Sequence, residues 1–321
     1  MSLPHIHYVL ENNIGNQTIV TQFFLEGFQS QLQLALCFLF ILMYVFTLLG
    51  NIGMITVITV DAQLQNPMYF FLKNLSFLDV CYSSVITPKA MLAFATGNKT
   101  ISYNECAIQM FFFSLFGTTE CFFLAVMAYD RFIAICSPLL YNITMSKKTC
   151  VLLVAVSYLF GFLNCCTQTS LTFSLSFCEP GKINQFFCDV PAVMKASCSD
   201  TSANEIVLLA MCGFIIVITS MIVLISYSYI VATILRIPSV EGRHKAFSTC
   251  TSHIMAVSLF FGTAFFMYGQ PGAISSPNQG KVVSVFYTIV IPMLNPLIYS
   301  LRNKEVKDAL WRQLKRKALF H

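Results

Sequence analysis

The chain of 321 residues is 56% hydrophobic and only 10% charged, against roughly 25% charged in a soluble domain. That balance excludes a soluble globular protein and indicates a chain that crosses a membrane repeatedly. Its net charge of +5 is unevenly distributed, so it reports orientation in the bilayer and not a nucleic-acid partner.

The first thirty residues lack a basic stretch followed by an apolar core, so no cleaved signal peptide is expected and the first span should direct insertion. Residues 1–28 read as an extracellular tail, 29–301 as a membrane bundle, and 302–321 as a cytoplasmic amphipathic helix and tail. Asn16-Gln17-Thr18 is a glycosylation sequon in the polar tail, and Asn16 is the expected glycan site. Asn74, inside a span, and Asn142, on the inner side, should be silent.

Charge-free stretches separate Glu26 from Asp61, Lys148 from Glu179, Glu205 from Arg236, Lys245 from Lys281, and Lys281 from Arg302. Each reaches the roughly 20 residues that a helix needs to cross the hydrocarbon. Two more apolar segments, Met68 to Leu92 and Cys106 to Ile133, carry Asp79 and Glu120 within them. The expectation is an all-α bundle of seven spans. With the N-terminus outside, 14 of the 19 Lys and Arg lie toward the inner side and 5 toward the outer, the positive-inside pattern.

Span one contains Gly50-Asn51, span two Asp79, span three Glu120 and span seven Asn295. Carboxyls in hydrocarbon are costly unless paired, protonated or ligating. Asp79 and Glu120, with the two amides, are therefore read as a site for a proton or a sodium-like cation. Plain interhelical hydrogen bonding is the alternative. At the inner end of span three, in MAYDRFIAIC, Asp130 and Arg131 are adjacent opposite charges. Such a pair holds a helix end closed or releases it, because both side chains reach the interface; the alternative is a simple head-group anchor.

The inner loops are short, and Thr169 to Ala203 is the one sizeable outer loop. Cys106, Cys178, Cys188 and Cys198 face the oxidising side and allow three pairings; Cys106 with one of the other three would staple a lid to the bundle. Span seven ends in PMLNPLIYSLRN, where Pro292 and Pro296 each remove a helical donor and make a hinge, with Tyr299 one turn on. Beyond Arg302, Val306, Leu310 and Leu314 recur among basic positions, the pattern of a helix on the inner membrane surface, with Trp311 at the interface.

Taken together, PMYFFL at Pro67 to Leu72, LSFLD ending at Asp79, MAYDRFIAIC, Ser226-Tyr227, KAFSTCTSH at Lys245 to His253 and PMLNPLIYSLRN resemble the olfactory receptors among rhodopsin-type G-protein-coupled receptors. The likeness covers nearly the whole chain. Rhodopsin-type receptors generally carry Trp in span four and Trp-x-Pro in span six; the absence of both here favours the narrower family. That family usually shows Phe-Tyr-Gly in span six, where this chain has Phe260-Phe261-Gly262, so a hydroxyl expected beneath the ligand is missing.

The resemblance implies that Arg131, with Asp130, engages a G protein as the inner end of span six moves outward. Tyr227 and Tyr299 would swing in support, with Asn295-Pro296 at the hinge. It implies the bridges Cys106–Cys188 and Cys178–Cys198, and a sodium or proton site at Asp79 and Glu120. Phe113 stands where amine receptors of this fold hold an aspartate, which disfavours amines. Lys89 is the one basic side chain evidently near for a carboxylate ligand.

For the pocket itself, Met110, Ser114, Gly117, Thr118 and Cys121 share one arc of span three. Val257, Phe261, Ala264, Phe265 and Tyr268 share an arc of span six, and Leu208, Met211 and Ile215 are offered by span five. A cavity between these faces suits a small, neutral, hydrophobic ligand: an alcohol, ester, ketone or aldehyde. The alternative for each residue is ordinary helix packing. No nucleophile, base and acid converge, and neither HExxH nor paired CxxC occurs; His253 reads as a helix-to-helix contact. The expected protein is thus not an enzyme. It is a plasma-membrane odorant receptor, raising cyclic AMP through a stimulatory, olfactory-type G protein and holding no cofactor beyond a bound sodium ion. A transporter or channel, and a receptor of the same fold for a lipid or metabolite, are the competing classes.

Overall fold

The computed structural model describes residues 20–27, 33–178, 181–268, 277–302 and 304–318. Its long helices are α1 (Gln33–Val60), α2 (Pro67–Thr96), α3 (Tyr103–Cys136), α5 (Lys147–Phe173), α7 (Ser202–Leu235) and α8 (Val240–Tyr268). A seventh transmembrane path runs through α9 (Pro277–Val285), a π-helical turn at Phe286–Val290 and α10 (Ile291–Arg302). Short helices α4 (Tyr141–Thr144) and α6 (Val190–Met194) lie in the inner and outer loops, and α11 (Lys304–Ala318) follows the bundle. Six of these stretches are long and apolar enough to cross a membrane. The remaining span, α2, has 30 residues and carries Lys73, Asp79 and Lys89, so seven helices make the bundle.

Local chemistry sets the helix ends. Pro67 opens α2 behind Asn66, whose side chain accepts from the Tyr69 N–H. The same helix stops at Gly97, whose φ of 71° no other residue type adopts as readily. Ser102 and Glu105 close a reciprocal capping box on α3. Helix α3 is the central post, packed against α2, α5, α7 and α8.

The outer cap combines the expected lid loop with part of the N-terminal tail. Strand β1 (Gln22–Leu25) from the N-terminal segment lies between β2 (Thr100–Ser102) and β3 (Lys182–Ile183), antiparallel to the first and parallel to the second. Alternation buries Phe23 and Leu25 over Ile101 and Ile183. Residues 20–27 are thus part of the lid and not free tail. Helix α5 continues to Phe173, past the expected loop start at Thr169, and some of its hydroxyls donate back to carbonyls of the preceding turn. Thr167 Oγ1, for example, donates to Leu163 O at 2.9 Å. Disulfides join Cys106 to Cys188 and Cys178 to Cys198, with Cα separations of 5.5 and 5.9 Å. Lys89, read as a partner for a carboxylate ligand, is instead ion-paired with Glu105 at 3.1 Å.

At the inner end, α11 lies against the bundle with Val306 and Ala309 fully buried and Trp311 exposed; the Leu314 side chain lies outside the described residues. Arg312 holds Asp61 through Nε and Nη2 at 3.0 and 2.8 Å. Burial lifts the Asp61 carboxyl, but the hydrogen bonds from Arg312 and the Gln63 N–H outweigh it and hold the group below its ordinary range. Asn16 lies outside the described residues.

Candidate functional site

Beneath the outer cap the bundle holds a cavity lined by Tyr82, Phe113, Ser114, Gly117, Thr118, Cys121, Asn164, Gln168, Asp189, Val190, Leu208, Cys212, Ile215, Ile216, Phe260, Ala264 and Tyr287. Its volume is about 90 Å³, several times the ~10–15 Å³ that one water needs. Aromatic rings form its floor and flank: Phe113 stacks on Tyr82 at 5.4 Å and meets Phe187 edge-on at 5.0 Å. The lid enters through Cys188, whose N–H donates to Gln109 Oε1 at 2.9 Å, while Gln109 Nε2 donates to Val85 O at 3.1 Å. One buried amide thereby ties the lid, α3 and the stretch of α2 before Pro88.

Five positions read from span three, Phe113, Ser114, Gly117, Thr118 and Cys121, line this cavity, as do Leu208, Ile215 and Ala264. Four others are placed elsewhere. Met110 is fully buried one turn higher, in the apolar cluster under the sheet with Phe23, Ile101 and Cys188. Met211 turns its sulfur to Gln168 Nε2 at 3.8 Å. Phe261 packs against the cluster of Ala125, Ala128 and Val223, and Phe265 is 57% exposed on the outside of the bundle. The reason is the rotation of α8, which presents Phe260 and Ala264, four residues apart, to the cavity. Val257 packs in the same clusters as Phe261, and the Tyr268 side chain lies outside the described residues.

The polar wall was not expected. Asn164 and Gln168, four apart on α5, both face inward, and Asn164 Nδ2 donates to Thr118 Oγ1 at 2.9 Å. Their i, i+4 spacing in an otherwise apolar span was a readable signal. Asp189 and Val190 arrive through the lid, directly after the bridged Cys188.

Deeper in the bundle, Asp79 and Glu120 are 1% and 2% exposed. The Asn295 amide donates to both Asp79 oxygens at 3.1 Å, and Glu120 Oε1 is a buried oxygen with no hydrogen-bond partner among the described residues. That donor set fits a proton or a small hard cation. Asn51 Nδ2 donates to Pro292 O at 2.9 Å and to Thr47 O at 3.0 Å, while its Oδ1, like Glu120 Oε1, is buried with no partner among the described residues. Its neighbour Gly50 lets Pro296 of α10 approach, since a Cβ there would come within 2.9 Å of Pro296 Cγ.

At the inner end Asp130 is 2% and Arg131 7% exposed. The Tyr141 hydroxyl donates to Asp130 Oδ1 at 2.9 Å; burial first, then Asp130, pushes that phenol well above its ordinary pKa, so it stays a donor. Tyr227 and His253 stack, with Tyr227 Oη 2.7 Å from His253 Nδ1, placing His253 as a contact between α7 and α8. Tyr299, 4% exposed, has a hydroxyl with no partner among the described residues. The π-helical turn at Phe286–Val290 puts Tyr287 on the cavity and directly precedes the helix that carries Pro292 and Pro296.

The profile of the olfactory receptor family matches residues 40–317. Human olfactory receptor OR9H1 is 57% identical over 306 residues, covering 95% of this chain and 99% of its own. Mouse olfactory receptor 9S13 is 61% identical over 280 residues (87% and 84%), and mouse olfactory receptor 5AP2 54% over 297 (92% and 94%). A seven-helix bundle with an outer cavity and an inner charged pair, matched along nearly its whole length, therefore belongs to the olfactory receptor family of membrane receptors, which are not enzymes.

Proposed function

We propose that the chain is a plasma-membrane odorant receptor with its N-terminus outside. A small, mostly neutral hydrophobic volatile enters the outer cavity, shifts an inactive–active equilibrium and opens the inner end to a stimulatory, olfactory-type G protein that raises cyclic AMP. The observation that carries this reading is the largely apolar cavity beside α3, the same helix whose inner end bears Asp130 and Arg131. Ligand contact with Phe113, Ser114, Gly117, Thr118 and Cys121 would reach that pair along one rigid helix. Release of Tyr227 from His253, movement about Asn295-Pro296, and Tyr299 turning inward would free Arg131 for the G protein. Asp79 and Glu120 hold a proton or sodium ion in the resting state, and Asn16 carries a glycan. The test is a broad odorant panel read by cyclic AMP in cells with confirmed surface display. A concentration-dependent response to at least one small hydrophobic odorant is expected; silence across the panel would overturn the reading.

A further inference from the structure

The cavity wall carries the hydroxyls of Tyr82, Ser114, Thr118 and Tyr287. Two of them are engaged within the protein: the Thr118 oxygen accepts from Asn164 Nδ2 at 2.9 Å, and the Tyr287 hydroxyl donates to Ser284 Oγ at 3.2 Å. The Tyr82 and Ser114 hydroxyls make no hydrogen bond among the described residues, and neither oxygen is sealed within the packing as Asn164 Oδ1 and Glu120 Oε1 are. Gly117 is what uncovers the phenol, since a Cβ there would lie 3.6 Å from Tyr82 Oη and only hydrogen stands in its place. Stacking on Phe113, with ring centroids 5.4 Å and planes 24° apart, fixes the Tyr82 ring in that position. Ser114 follows Phe113 and lies about one turn above Gly117 on α3. A phenol in an apolar setting ordinarily finds a partner, and a donor left unmet there costs free energy until an acceptor arrives.

We propose that Tyr82 is the polar anchor for the ligand, donating its phenolic O–H to a ligand oxygen with Ser114 as a second hydroxyl contact, and that the cavity selects oxygenated volatiles over hydrocarbons of the same shape. A ketone, aldehyde, ester or alcohol oxygen each accepts from the phenol. A hydrocarbon covers the hydroxyl and leaves its proton unmet. The selection is thus for oxygen over carbon at one point of the ligand, and not among the oxygen classes. Discrimination of this kind is strong because the penalty falls on the ligand that lacks the matching atom. Phe113, Ile215 and Phe260 supply apolar wall for the hydrocarbon body. The anchor brings α2 into recognition, a helix that had offered no residue to the expected pocket. It rests on the cavity being the odorant site.

The experiment uses the full chain at the cell surface with matched probes: medium-chain 2-alkanones and 2-alkanols, the oxygenated members of the broad panel, and for each the isostere in which carbon replaces the oxygen, C=CH2 for C=O and CH3 for OH. The native chain should respond to an oxygenated probe at concentrations about tenfold or more below those of its isostere, one hydrogen bond to a buried donor at 1.4 kcal/mol per decade. Tyr82→Phe keeps the ring on Phe113 and removes only the hydroxyl. It should weaken the oxygenated probe about fivefold to tenfold, leave the isostere within about twofold, and so close the gap. Ser114→Ala should narrow the same gap by a smaller factor. Because the Tyr82 hydroxyl has no partner in the protein, Tyr82→Phe should reach the surface and melt in detergent as the native chain does. A lower melting temperature would show the hydroxyl bonded internally and overturn the anchor. So would active odorants that all lack oxygen, an isostere as potent as its oxygenated probe on the native chain, or oxygenated potency unchanged in Tyr82→Phe; each leaves the receptor reading intact. Silence to every odorant would instead strike the cavity assignment on which the anchor depends.

Discussion

Replacing Gly161 with alanine tests the contact on which the polar wall depends. A Cβ at this position on α5 would lie 2.9 Å from the Leu115 carbonyl oxygen, 3.3 Å from Leu115 Cδ1, and in overlap with Thr119 Oγ1. None of these retreats easily. The carbonyl belongs to α3, and Thr119 is fully buried with its hydroxyl donating to that same carbonyl at 2.7 Å. Small residues at such crossings let membrane helices approach, and their loss forces the helices apart. Overpacking of this order costs about 1–3 kcal/mol, and alanine's better helix propensity returns roughly 0.5–1 kcal/mol. The expected net is destabilisation, and Gly161→Val should exceed it. Because Asn164 sits one turn further along α5, the same displacement should draw its amide from Thr118. Gly213→Ala on α7 is the control, since a Cβ there meets nothing within 4 Å. Thermal unfolding in detergent, alongside surface display, is the assay. Equal melting of Gly161→Ala and Gly213→Ala would refute the close α3–α5 approach.

Gly50→Ala should lower thermal stability and blunt signalling together, because its Cβ would press on Pro296 at 2.9 Å; unchanged melting would contradict the tight packing of α1 against Pro296. Gln109→Met should strand the Cys188 N–H and the Val85 carbonyl, costing about 1–3 kcal/mol and speeding ligand dissociation in a washout assay. For Asp61, whose carboxyl is held below its ordinary range, the contribution is fully present above the unfolded value of roughly 4 and is lost as pH falls through the folded value. Amide exchange in α11 should thus be flat from about pH 5 to 8 once corrected for intrinsic rates, and accelerate only in stronger acid. A pair with Arg312 43% exposed contributes only ~0.2–1 kcal/mol, so Arg312→Ala should loosen α11 without unfolding the bundle.

The seven spans were readable because hydrocarbon leaves a helix few alternatives and charge-free length is a coarse, robust signal. Periodicity also placed Ser114, Gly117, Thr118 and Cys121 on one face. It does not fix where that face points, which is why Phe261 and Phe265 were expected beside Ala264 on the cavity, where Phe260 stands with it instead. Asn164 and Gln168 carry no signal in apolar length alone, which marks span four as a crossing helix without saying which of its faces turns inward. The strand at Gln22–Leu25 and the π-helical turn at Phe286–Val290 left no usable mark. The first is four residues whose order depends on two distant partners, and the second is an i→i+5 hydrogen-bond shift with no residue preference strong enough to read.

The account holds that ligand recognition and G-protein coupling lie at opposite ends of α3 and can be separated. Ligand binding and cyclic AMP production should be measured together on surface-displayed native chain, on Arg131→Ala, and on Gly117→Leu, whose side chain fills the cavity beside Tyr82, 3.5 Å from the new Cβ. Arg131→Ala should keep binding and lose the cyclic AMP response, and Gly117→Leu should lose both. Signalling retained by Arg131→Ala, or ligand binding undiminished in Gly117→Leu, would contradict the account.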